Sequence, residues 1–277
     1  MNYRHAFHAG NFADLVKHAA LTLALRELTA SPGPLTVIDT HAGAGTYDLT
    51  SEMAQRSGEA RAGIARLMAD PAAPEALAPL KEAVAKLNPQ GGLWRYPGSP
   101  LLAAQALGPR DRLYACEVHP EDYAALLHAL GPYSNAEAVK ADGYRAVLER
   151  TPDKRRAFVL IDPPFERPDD YEQAARALTG VLRRNDAAWV MIWLPLKDLE
   201  TFDGFIRRIA PVAPRALIVE ARLRPLSDPM TLNGCALVIA NPPPDLQAPL
   251  TDACEWVVRA CGGEGAEVKV WRPSDAG

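Results

Sequence analysis

Cysteine is scarce in this chain: Cys116, Cys235, Cys254 and Cys261 are the whole complement in 277 residues, and no two form a C-x-x-C pair. Such spacing fits neither a disulfide framework nor a zinc site, and the surrounding apolar residues predict buried thiols in a reducing compartment. Each follows Ala or Gly, not Pro, which disfavours the cysteine nucleophile of a pyrimidine C5 chemistry. Long apolar runs are also missing. None approaches the roughly 18 residues of a membrane span, and Met1-Asn2-Tyr3-Arg4-His5 lacks the apolar core of a secretion signal. The expectation is a cytoplasmic protein without membrane contact. There is no excess of positive charge: 30 Lys and Arg stand against 34 Asp and Glu, a formal net charge of −4. A broad nucleic-acid surface is thereby disfavoured, and phosphate contacts would have to come from local patches such as Arg4, Lys17 or Lys154-Arg155-Arg156. No Gly-Lys-Ser/Thr is present, so no nucleoside-triphosphate cradle is expected. The histidines lack zinc-pair spacing and companion carboxylates, and no metal is expected.

What is present is an ordinary globular composition, 48% apolar and 23% charged. Strand-like segments recur at Leu35–Asp39, Leu113–Glu117, Ala138–Ala141, Phe158–Ile161, Ala188–Leu194, Ala216–Glu220 and Ala236–Ala240. Helix-like stretches such as Glu121–Leu130, Ala141–Glu149, Tyr171–Arg184 and Leu199–Ile209 separate most of them. This alternation predicts a Rossmann-like α/β fold, a seven-stranded, mostly parallel, doubly wound sheet in one domain over residues 1–277. An N-terminal arm, residues 1–18, precedes it, with Asn11 as the cap of the first helix. The interval from Asp39 to Leu113 is far longer than one crossover needs. Apolar residues at helical spacing (Ile64, Leu67, Met68; Leu77, Leu80, Val84, Leu87) predict a small helical insertion over about residues 51–93, above the carboxyl edge of the sheet.

Chemistry-bearing residues fall at successive strand ends. After the first strand comes Asp39-Thr40-His41-Ala42-Gly43-Ala44-Gly45, a Gly-x-Gly turn without the third glycine of a dinucleotide site. An acid before a short glycine loop suits a ligand with a zwitterionic amino-acid tail, such as S-adenosylmethionine. Glu117 ends the second strand, where two carboxylate oxygens can accept from a ribose diol. Asp142-Gly143 ends the third, where a carboxylate can accept from an adenine amine. Asp162-Pro163-Pro164-Phe165 ends the fourth. Neither proline can donate to the ladder, so the turn is stiff and presents a carboxylate, a carbonyl and an aromatic face together. That set fits an exocyclic amine on a flat ring. Asn241-Pro242-Pro243-Pro244 resembles it but lacks the aromatic, and is expected to be a surface turn. In the arm, Asp14, Lys17 and His18 share a helix face, and Tyr3, Arg4, His5 and Phe7 interleave aromatic and basic character, as a clasp on nucleic acid would.

Four blocks together, Tyr3-Arg4-His5…Phe7-His8-Ala9-Gly10-Asn11…Ala13-Asp14…Lys17-His18, Asp39-Thr40-His41-Ala42-Gly43-Ala44-Gly45, Tyr96-Pro97-Gly98-Ser99-Pro100 and Asp162-Pro163-Pro164-Phe165, resemble the bacterial ribosomal RNA large-subunit methyltransferase J family essentially end to end. The resemblance implies a class I S-adenosylmethionine-dependent enzyme, expected to be a monomer, that methylates N6 of one adenine, position 2030, in 23S rRNA. It implies that His18, His41, Ser99, Glu117, Asp142, Gly143 and Asp162 contact the cofactor or the reacting atoms, and that Tyr3 meets the RNA. Relatives often carry tyrosine where Phe165 stands, so stacking is kept and a phenol contact is lost. Of the remaining residues, Gly43 is assigned to the cofactor, Pro163 and Phe165 to the target base, and Arg4, His5 and Lys17 to the RNA. Two other classes compete: a protein-glutamine or small-molecule N-methyltransferase using the same turn, and a non-catalytic RNA-binding assembly factor. The aromatic and basic arm argues against the first, and the intact Asp162 against the second.

Overall fold

The computed structural model describes residues 4–228 and 230–276. Asn11 starts the first helix as expected: its backbone is extended and its Oδ1 accepts from the Asp14 amide at 2.9 Å, opening α1 (Phe12–Ala30). Strand β1 (Thr36–Asp39) follows, then a hairpin of β2 (Thr46–Asp48) and β3 (Arg95–Pro97) whose ends carry the insertion. The insertion holds α2 (Glu52–Ser57), α3 (Glu59–Ala62), α4 (Ile64–Ala69) and α5 (Ala78–Leu87). Next come α6 (Ser99–Ala106), β4 (Arg112–Cys116), α7 (Pro120–Leu130), β5 (Ala136–Val139), α8 (Gly143–Arg150) and β6 (Ala157–Ile161). The chain closes with α9 (Asp170–Arg184), β7 (Trp189–Leu196), α10 (Leu199–Ile209), β8 (Leu217–Arg222), β9 (Gly234–Ala240), α11 (Gln247–Cys261) and β10 (Glu267–Trp271).

The main sheet runs β10-β8-β9-β7-β6-β1-β4-β5. From β5 to β7 every pairing is parallel, while β9 lies antiparallel between β7 and β8, and β10 is antiparallel on β8. This is the mostly parallel, Rossmann-like sheet expected from the alternation of strands and helices, with eight strands where seven were expected. The added one is β10, whose Glu-Val-Lys-Val-Trp alternation marks a half-buried edge strand. The β2–β3 hairpin was also absent from the expectation, because three-residue strands carry too little periodicity. Strand order reverses between β1 and β6, which leaves a crevice at their carboxyl ends.

Inward residues alternate along each strand. Phe158 and Leu160 pack toward the layer of α1, α6, α7 and α11, while Val159 and Ile161 face α8, α9 and α10. Helix α1 is buried almost all round, because the sheet covers one side and α5, α6 and α11 cover the rest. The insertion therefore packs on α1, α11 and the N-terminal turn, and its apolar residues Ile64, Leu67, Leu77, Leu80 and Val84 join the main core. A Cβ on Gly63 would stand 2.2 Å from the Gly10 carbonyl, so only glycine permits this contact between insertion and arm. Arg66 donates to the Ala260 carbonyl and Trp256 Nε1 to Asp70 at 2.7 Å, tying the insertion to α11.

Asn241 is exposed at the end of β9, and its amide donates to the Asp186 and Ala188 carbonyls at 2.7 and 2.9 Å. Because β9 runs antiparallel, this Pro-rich turn lies at the edge of the sheet opposite Asp162. Cys116, Cys235 and Cys254 are buried free thiols; Cys261 departs from the expectation by being half-buried, with Sγ 3.3 Å from the Ala62 carbonyl. In the basic run, Arg156 is engaged by the α1 terminus, donating to the carbonyls of Leu28, Ser31, Pro32 and Gly33. No helix among the described residues is long and apolar enough to cross a membrane.

Candidate functional site

A cavity of about 840 Å³ opens at the carboxyl ends of β1, β4, β6 and β7. Of the residues assigned from the sequence, it brings together His5, Lys17, His18, His41, Gly43, Ser99, Glu117, Asp162, Pro163 and Phe165. It leaves out Arg4, Asp142 and Gly143, and Tyr3 lies outside the described residues.

Asp162 sits where β6 leaves the sheet, and α1 delivers its partner. Lys17 Nζ donates to Asp162 Oδ2 at 2.6 Å and lies 2.9 Å from Asp14 Oδ1. Lys17 is 6% exposed. Burial pulls the ammonium pKa down, and Asp14 and then Asp162 more than reverse this, leaving it well above the ordinary value. Asp14 is opposed by burial too, yet His5, Lys17 and His18 hold it well below the usual carboxylate range. Its Oδ2 lies 3.0 Å from His5 Nε2 and accepts from the Gly10 amide at 2.9 Å. The expectation that Lys17 binds an RNA phosphate is thus corrected: it is buried between two carboxylates, since the face it shares with Asp14 turns inward. Arg4 stays at the surface and pairs with Glu121 at 2.7 Å.

His18 is buried beside Tyr96, with Nδ1 2.7 Å from the phenol oxygen and the rings stacked at 5.4 Å. Its Nε2 has no hydrogen-bond partner among the described residues. Burial lowers its pKa to about 3, so the ring is neutral at physiological pH. His41 is likewise lowered to about 4 by burial; its Nδ1 lies 2.7 Å from Thr40 Oγ1, and Tyr144 meets its ring edge-on at 4.8 Å. Asp39 is pushed up to about 7 by burial, against the Ser99 hydroxyl that donates to its Oδ2 at 2.6 Å. Glu117 bridges two loops, accepting from Gly43 N at 2.9 Å and His119 N at 2.7 Å; burial raises its pKa despite those bonds.

Asp142 is exposed and caps α8, accepting from the Arg145 amide at 3.1 Å. Gly143 is required by packing: a Cβ there would stand 1.8 Å from the Thr40 carbonyl. Phe165 ends the Pro-Pro turn with φ 51° and packs on Tyr171 and Trp193, ring centroids 4.7 and 6.0 Å apart. Trp193, Pro195, Lys197 and Leu232, all lining the cavity, were not assigned from the sequence. The first three follow from β7 ending beside β6, a placement that requires the strand order.

A family model described as "Ribosomal RNA large subunit methyltransferase D, RlmJ" matches residues 32–273. The chain belongs to the RlmJ family. Ribosomal RNA large subunit methyltransferase J of Escherichia coli is 34% identical over 259 residues, covering 93% of this chain and 92% of the relative. The Haemophilus influenzae protein of the same name is 33% identical over 268 residues, covering 96% and 95%. A crystal structure from Legionella pneumophila superposes with a TM-score of 0.89 at 28% identity, covering 96% of this chain and 98% of that one. RlmJ membership makes the chain one of a family of ribosomal RNA large subunit methyltransferases, and the cavity at the β1–β6 crevice is its candidate active site.

Proposed function

We propose that this protein transfers a methyl group from S-adenosylmethionine to N6 of an adenine in 23S rRNA, the adenine at position 2030. The observation that carries the proposal is the Asp162-Pro163-Pro164-Phe165 turn on the cavity wall with Lys17 fixed on one carboxylate oxygen at 2.6 Å. Lys17 occupies Oδ2 of Asp162, and Oδ1 is left to accept from an amine.

The residues fit the cofactor. Glu117 offers carboxylate lone pairs beyond its two backbone donors to a ribose diol, and Val118 beside it is an exposed apolar side chain suited to a flat base. The orphaned Nε2 of His18 and the Ser99–Asp39 pair suit a zwitterionic tail. When bound, S-adenosylmethionine supplies an electrophilic methyl on a sulfonium sulfur.

The adenine amine is a poor nucleophile because its lone pair is delocalised into the ring. Asp162 Oδ1 and the Pro163 carbonyl accept its two N–H bonds, which favours a pyramidal nitrogen aimed along the transfer axis. The protein contributes orientation and electrostatics, with no covalent intermediate. Asp162 takes the proton late, as positive charge develops on nitrogen. The base must leave its stack to enter the cavity.

The test is methyl transfer from labelled cofactor to 23S rRNA lacking the modification, with protein extract in parallel. Label in RNA, recovered as N6-methyladenosine, supports the proposal; label in protein alone would replace it with protein methylation. Two substitutions probe the halves of the cavity. Glu117→Ala is expected to weaken cofactor binding by about 1.5–3 kcal/mol, the scale of hydrogen bonds to a charged group, and calorimetry checks it. Phe165→Ala is expected to lose roughly 1–3 kcal/mol of base stacking, read as a raised KM for RNA, while Phe165→Tyr stays near the parent.

A further inference from the structure

With Lys17 neutralised by Asp14 and Asp162, and Arg4 held by Glu121, neither cation assigned from the sequence is placed to meet RNA at the cavity. Lys17 and Lys197 are the two Lys or Arg residues lining the cavity among the described residues. Lys197 differs from Lys17 in every respect that matters. It is exposed, and among the described residues its ammonium makes no ion pair or hydrogen bond. It follows β7, on the side of the cavity formed by Pro163, Phe165, Trp193 and Pro195, away from Gly43 and Glu117.

Its backbone is fixed although its side chain is free. Asn233, fully buried, donates through Nδ2 to the Lys197 carbonyl at 3.1 Å and to the Asp228 carbonyl at 2.7 Å. The Asn233 amide donates to the Leu196 carbonyl at 3.1 Å. This brace joins the segment after β7 to the loop before β9, so the rim carrying Lys197 is a set structure. The neighbouring acid, Asp198, caps α10: its two oxygens accept from the amide and hydroxyl of Thr201 at 2.8 and 3.1 Å.

We infer that Lys197 binds the RNA backbone phosphate next to the target adenine. The inference rests on the function proposed above. A nucleotide whose amine reaches Asp162 leaves its ribose and phosphate at the cavity mouth, and an exposed, unpaired ammonium on the base side of that mouth is the complementary charge. A lysine binds phosphate as a point charge and reads no sequence.

The test measures methylation of an unmodified 23S rRNA fragment over a salt series, with cofactor affinity measured by calorimetry. Lys197→Ala is expected to raise KM for RNA about tenfold, the low end for a hydrogen bond to a charged partner. It should also flatten the log–log salt dependence by about 0.7, one phosphate on a single strand. Lys197→Glu should raise KM further, Lys197→Arg should restore the parent value, and cofactor affinity should not change. Parent-like KM and salt slope in both Lys197→Ala and Lys197→Glu would overturn the assignment while leaving the methyltransferase function standing. Loss of cofactor affinity in Lys197→Ala would also overturn it. If the parent protein does not label RNA at all, the proposed function fails and this assignment with it.

Discussion

Asp162→Asn is expected to bind the cofactor within a few-fold of the parent and to lose at least about a hundredfold in turnover, the lower end of what a positioned acid or base supplies. An amide presents one acceptor oxygen, and it cannot take the proton that leaves the methylated amine. In the parent, Lys17 already holds one oxygen at 2.6 Å. The amide must therefore either satisfy Lys17 or face the substrate with its oxygen, and its NH2 group takes the other role badly. Single-turnover kinetics on RNA alongside calorimetry on the cofactor check this. Parent-like turnover would remove Asp162 from the chemistry.

Lys17→Ala carries the largest expected loss of stability. Removing one partner from a buried ion pair costs about 3–5 kcal/mol, because the remaining charge is stranded. Here Asp14 keeps His5 and the Gly10 amide, while Asp162 loses the ammonium that holds it, so turnover falls as well through misplacement of Asp162. The pH dependence follows from the shifts. Asp14 is held well below its ordinary 3.8, so its stabilisation is present above that value and lost as pH falls through the lowered one. Lys17 is held well above its ordinary 10.5, so its stabilisation is present below that value and lost only as pH rises through the raised one. The parent keeps both contributions across neutral pH. In the variant Asp14 loses one of the charges that oppose its burial, and that cost is relieved as Asp14 protonates. The gap in Tm between parent and Lys17→Ala should be widest near pH 7–8 and narrow toward pH 5. A gap that widens on acidification would mean that Asp14 is not the source of the loss.

The strand ends were legible because each carries a residue that cannot extend a strand or helix without cost. Asp39 precedes a glycine turn, Glu117 stands before the proline that opens α7, and Asp162 precedes two prolines. Alternation placed the buried strands, and Asn11 marked the start of α1 at the residue that caps it. What was not legible depends on the third dimension. The i, i+3, i+4 relation put Asp14, Lys17 and His18 on one face, yet it cannot tell an inward face from an outward one. Only the β6 turn, the N-terminal turn and Tyr96 of β3, set around it, make that face interior, and this turns Lys17 from a surface cation into the partner of Asp162. Asp142 was read as a ligand from its position along the chain; that its carboxylate also caps α8 is visible only once the helix is in place. Lys197 was overlooked because its nearness to Asp162 comes from β7 pairing with β6, with no motif of its own.

The way α1 is covered also constrains the order in which the molecule is made. It is made before every strand of the sheet, but its outer surface is completed by α11, which spans Gln247–Cys261 and follows every strand but β10. Contacts of such sequence separation form late and slowly, and synthesis at about 5–20 residues per second leaves α1 without its last neighbour for many seconds. Until then an apolar helix carrying two buried charges has no settled place. A chain interrupted before α11 would hold every residue that lines the candidate site and still lack part of the cover of the helix that carries Lys17.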